Sequence, residues 1–84
     1  MTTVISLVES ELGRPYATLI AGAITLLAKD RGEHYSEPQV IHYLWKAKQL
    51  IDVNQHVLFA HPATRQQQIV KRYLAGDSVV EWLE

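Results

Sequence analysis

The sequence contains no cysteine, which excludes a disulfide framework and a thiolate metal site, two devices that compensate small domains for a thin core. It has no excess of positive charge either. Eight Lys and Arg against nine Asp and Glu leave a net charge of -1, which excludes a polybasic coat for nucleic acid. The most apolar stretch, YATLIAGAITLLA from Tyr16 to Ala28, is shorter than the roughly 20 residues a membrane span requires. No basic region leads into an apolar segment with a cleavage site, so the expected setting is the cytoplasm, with no membrane partner.

Chemical motifs are missing as well. Nucleophilic catalysis needs a Ser, Thr or Cys beside an activating base, and acid-base catalysis needs paired groups held in contrasting environments. Here the serines stand where helix caps are wanted (Ser36, Ser78) or on a polar face (Ser6, Ser10), and the acids are scattered through loops and helix ends. Four histidines, His34, His42, His56 and His61, raise a metal reading. None pairs with another at i, i+3 or i+4 on one helix, and no H-E-x-x-H pattern occurs. The expectation is a non-enzymatic protein with no catalytic residues, no metal and no cofactor.

What the sequence does have is helical periodicity with start and stop signals. Apolar residues make up 48% and charged residues 20% of 84 residues, a globular composition for one domain spanning residues 1–84. Thr3 caps a first helix with Val4, Ile5, Val8 and Leu12 inward; Gly13 stops it, and Pro15 opens a second that runs to about Lys29. This second helix is apolar nearly all round, the pattern of a buried one. Gly22 within it predicts close approach by a neighbouring backbone.

The charged segment KDRGEHYSEPQ is a loop that ends in a Ser36–Gln39 capping box. The helix it opens has Val40, Leu44, Ala47 and Ile51 as a core stripe, with Gln39, His42, Lys46 and Gln49 opposite. Ile41, Trp45 and Lys48 form one shoulder of that helix, and Tyr43 and Leu50 the other. Residues 52–62 read as a short helix capped by Asn54, with a short extended segment near 56–60 as the alternative, and Pro62 ends either. Two further boxes, Thr64 with Gln67 and Ser78 with Glu81, open a helix with Ile69, Val70, Tyr73 and Leu74 inward and a last short helix with Val79, Trp82 and Leu83. Gly76 separates the two. The predicted fold is all-α, a compact bundle of four to six short helices.

Charge is unevenly distributed. Residues 1–45 carry three basic and five acidic groups, residues 46–76 five basic and one acidic, and residues 77–84 three acidic. The basic middle places Arg65, Gln68 and Arg72 on one helix stripe with Lys71 beside it. DNA binding through that stripe, or through the helix of residues 38–51, as a small dimeric transcriptional regulator, is the second reading. The long acidic loop ahead of residue 38 speaks against a tight helix-turn-helix.

Protein binding is the first reading. Tryptophan and tyrosine are enriched at interface anchors, and the shoulder bearing Trp45 is the hardest part of its helix to cover from within. The expected contact residues are Ile41, Tyr43, Trp45 and Lys48 for an apolar surface, and Arg65, Lys71 and Arg72 for an electrostatic one. The expected partner is another protein, with self-association into a homodimer. By its size and lack of chemistry, the chain fits the profile of an inhibitor, adaptor or accessory regulator of phage or other mobile-element type.

Overall fold

A computed structural model describes residues 3–83. Six helices follow in order: α1 Val4–Leu12, α2 Arg14–Arg31, α3 Glu37–Val53, α4 Gln55–Phe59, α5 Ala63–Leu74 and α6 Val80–Leu83. Among the described residues there is no strand, and no helix is long and apolar enough to cross a membrane. The radius of gyration is 11.9 Å, close to the ~12 Å expected for a compact chain of this length.

α2 is the hub, packing against α1, α3 and α5. Its buried residues are Ala17, Leu19, Ile20, Ala21, Ala23, Ile24 and Leu27, so its alanines let neighbouring helices approach while its isoleucines fill the space between them. Leu44 and Ile51 of α3, Leu58 of α4, and Ile69 and Val70 of α5 meet in the same core, all fully buried. The α3 stripe of Val40, Leu44, Ala47 and Ile51 is buried as its spacing predicts, and Leu50 joins it from one shoulder.

Several boundaries follow the sequence signals directly. The Thr3 side chain accepts a hydrogen bond from the Ser6 backbone N–H at 3.2 Å. Gln39 Oε1 accepts from the Ser36 backbone N–H at 2.8 Å and from its hydroxyl at 3.1 Å. One residue, Gly13, joins α1 to α2 with φ +85°, a backbone angle that a side chain would oppose. Gly76 at φ +96° ends α5 in the same manner, with the Asp77 N–H bonded back to the Arg72 carbonyl at 3.0 Å.

Some elements differ in part from the sequence reading. The segment near 56–60 is helical, the preferred of its two readings, rather than extended. A strand there would have no neighbour to pair with, whereas the helix seals the core with Leu58. Asn54 does not cap α4 with its side chain but donates to the Leu50 carbonyl at 3.0 Å, finishing α3.

α5 starts at Ala63, so Thr64 lies inside it. The Pro62 carbonyl takes the first helical bond, from the Gln66 N–H at 2.9 Å, and proline's fixed φ suits that entry. α6 begins at Val80, one residue later than a Ser78 cap would place it. Ile5 is exposed while Leu7 is buried, so the inward face of α1 is rotated relative to the sequence reading. Gly22 is approached by the Gln67 side chain rather than by backbone.

Candidate interaction surface

Among the described residues, folding leaves five large apolar side chains exposed: Ile5, Trp45, Val53, Phe59 and Val80. Val53 retains 82% of its surface and Val80 59%, and the two line one groove of about 510 Å³ with Leu50, Tyr73, Val79 and Leu83. The groove lies where α3 ends, where the chain leaves α5 and where α6 begins. Its polar lining comes from Gln49, Asn54, Asp77 and Ser78. A second concavity of about 560 Å³ lies over α2 beside Ile5, lined by Thr18, Thr25 and the Gln67 side chain.

α6 forms one wall of the groove although it buries no residue of its own. Trp82 holds it in place. The Arg65 guanidinium lies 4.6 Å and the Arg72 guanidinium 4.9 Å from the Trp82 ring, the cation–π arrangement in which the ring's negative face attracts a guanidinium. One turn of the chain away, His61 Nε2 lies 2.8 Å from the Trp82 carbonyl oxygen. A carbonyl can only accept, so in this contact Nε2 carries the proton. Trp82 of the last short helix is thus met by three side chains from α5 and the loop before it, and Leu83 packs against the core beside it.

The basic middle of the sequence is largely engaged inside the molecule. Lys71 pairs with Asp30 at 2.6 Å, tying α5 to α2. The Lys46 ammonium lies 5.5 Å from the centre of the Tyr73 ring. Lys48 bonds Asp52 Oδ2 at 2.5 Å one turn along α3, and the Tyr16 hydroxyl donates to Asp52 Oδ1 at 2.9 Å. This triad links α2 to α3. The Lys48 and Tyr16 hydrogen bonds hold the Asp52 carboxyl below the usual carboxylate range, while bonding to Asp52 raises both Lys48 and Tyr16.

The expected contact residues are therefore divided. Trp45 keeps 43% of its surface, with Ile41 half-buried one turn before it and Lys48 drawn to Asp52. Tyr43 is half-buried against Tyr35, ring centres 5.0 Å apart. Arg65, Lys71 and Arg72 stand on α5 in the contacts just described. The histidines are dispersed as well, and among the described residues no three His, Cys, Asp or Glu side chains gather as a metal site would need.

The groove around Val53 and Val80 is what the sequence reading missed. A signal was present: Val53 follows Gln49 by four residues and so extends the polar stripe of α3, where an apolar residue has no core to join. Comparison with protein-family models, with curated proteins and with solved structures finds no match to this chain.

Proposed function

We propose that the protein is a small non-enzymatic binding module, of the inhibitor, adaptor or accessory-regulator kind, that acts by apolar contact with another protein and associates with a second copy of itself. One observation carries this reading: Val53 and Val80, the two most exposed large apolar side chains among the described residues, line one groove. Isolated exposed apolar residues are ordinary, whereas a concave apolar cluster bordered by polar groups is the usual form of a protein contact site. The Trp45–Ile41 shoulder offers a second apolar contact. A reducing cytoplasm is the proposed setting, in keeping with a chain without cysteine.

Duplex DNA is the weaker alternative because of where the cations stand. Lys46, Lys48, Arg65, Lys71 and Arg72 each meet an aromatic ring or a carboxylate within the molecule, and a phosphate would have to compete with those contacts. The test is capture of partners from a lysate of the protein's own source at two salt concentrations, with nuclease. A stoichiometric protein partner that survives both treatments is expected. Recovery of nucleic acid alone, lost at high salt, would contradict the proposal, since phosphate contacts weaken steeply as salt rises.

A further inference from the structure

A second apolar surface, along α2, is lined without charge. The concavity of about 560 Å³ beside Ile5 and a smaller one of about 210 Å³ beside Phe59 share Thr18 and Gln67, and so form one furrow. Its floor is the outward side of α2 at Thr18, Gly22 and Thr25, with Ile5 exposed at one end and Phe59 at the other. No Asp, Glu, Lys, Arg or His lines either half. By contrast, the groove between α3 and α6 holds Asp77, the hollow beside Tyr35 holds Glu37, and the cleft where α2 and α5 end holds Asp30, Arg31, Lys71, Arg72 and Asp77.

Charge borders this furrow instead, with opposite sign at its two ends. At the Phe59 end, where α2 starts, α1 contributes Glu9, one turn beyond Ile5, and Glu11. Arg14 lies 3.6 Å from Glu9 and offsets one of the two. At the Ile5 end, Lys29 stands exposed one turn past Thr25, and Arg31 donates to the Ala75 carbonyl at 3.4 Å. Asp30 there is matched by Lys71, and Glu33 lies past the turn at Gly32, on the way to α3. One end is net acidic and the other net basic.

A two-fold axis crossing the furrow at Thr18 and Gln67, with α2 antiparallel to its copy, fits these features together. Groups at such an axis meet themselves. A hydroxyl and an amide can do so because each both donates and accepts, whereas a charge there would face its own like. The same axis carries the Phe59 of each copy to the larger hollow of the other, beside Ile5 and Leu26, and sets Lys29 against the Glu9–Glu11 end. Resting on the self-association proposed above, we infer that the furrow along α2 is the homodimer interface, occupied by a second copy of this chain in antiparallel arrangement.

The test is sedimentation velocity of the full chain over a wide concentration range, beside NMR of methyl-labelled protein over the same range. The native chain should dimerise, and the methyl signals of Ile5 and Leu26 should move as the Phe59 ring arrives. The double variant Ile5→Ser, Phe59→Ser should weaken the dimer at least about ten-fold, with its helical circular dichroism intact because both side chains are exposed. Lys29→Glu should weaken it about five-fold at low salt, and adding Glu9→Lys and Glu11→Lys should restore it.

A monomer at every concentration would overturn this inference together with the self-association proposed above. A dimer that survives the Ile5 and Phe59 changes, or that forms while the Ile5 and Leu26 methyl signals stay still, would overturn the furrow alone and place self-association on another surface. Loss of the dimer in that double variant with no effect of Lys29→Glu would overturn the antiparallel arrangement.

Discussion

Gly22 and Gln67 show how a single atom changes the meaning of a residue. A Cβ built on Gly22 would collide with Gln67 Nε2, but the obstacle is the far end of a flexible side chain that can swing into solvent. Gly22→Ala should therefore be tolerated, and its gain in helix propensity should raise stability by up to about 1 kcal/mol, measured by urea unfolding. A loss larger than about 1 kcal/mol would show that Gln67 is fixed. The sequence reading expected a backbone beside Gly22 where a side chain stands, because periodicity carries no information about which residue lies opposite.

Tyr35 gives a second test at this scale. Its hydroxyl is buried without a hydrogen-bond partner among the described residues. The Arg31 guanidinium lies toward it without completing a bond, and burial pushes the phenol up from its ordinary range. An unsatisfied buried donor costs free energy, so Tyr35→Phe should leave stability unchanged or raise it by about 1 kcal/mol. Destabilisation on thermal unfolding would mean that the hydroxyl has a partner in solution.

Among the elements, α6 depends most heavily on one residue. Trp82, met by two guanidinium groups, contributes to the attachment at about 0.5–1 kcal/mol for each exposed cation–π contact. In a Trp45→Phe background, where Trp82 is the sole tryptophan, Arg65→Gln with Arg72→Gln should shift its fluorescence to longer wavelength as α6 loosens, while the helical circular dichroism of the larger helices persists. An unchanged emission maximum would show that α6 is held by other contacts. The sequence placed Trp82 on the last short helix and Arg65 and Arg72 on one stripe of α5. Their meeting was not legible, since the turn at Gly76 sets the direction of return and many directions satisfy the same turn signal.

The α2–α3 link has a pH signature. Asp52 is held below its ordinary range, so its contribution is complete above the unfolded carboxylate range near pH 4 and is lost as pH falls through the lower folded value. Tyr16 and Lys48 are raised, so theirs is complete below about pH 10 and is lost as pH rises through their folded values. The stability difference between the native protein and Tyr16→Phe should then be flat from about pH 5 to 9 and shrink on both sides. A difference that persists unchanged at pH 3 would show that the tyrosine acts by packing alone.

At the scale of the whole molecule, stability rests on α2 and on the face that α3 turns to it. Ile24 is fully buried at the hub, so Ile24→Ala should cost about 2–5 kcal/mol, a large share of the roughly 5–15 kcal/mol available to a small domain. Trp45→Ala should cost less than about 1 kcal/mol, because so much of the ring already faces water. The all-α class and the α3 core stripe were legible because caps and periodicity agree there. The groove was not, because it forms from the ends of three elements whose convergence is a property of packing rather than of any one helix.

The most direct measurement is capture by the double variant Val53→Asp, Val80→Asp, with circular dichroism confirming its helices, beside Trp45→Ala and the native protein. Loss of the captured protein partner from the double variant is the predicted result, since two carboxylates would stand in the apolar groove. Full retention by that variant, with loss from Trp45→Ala instead, would contradict the groove as the contact surface and move it to the shoulder of α3.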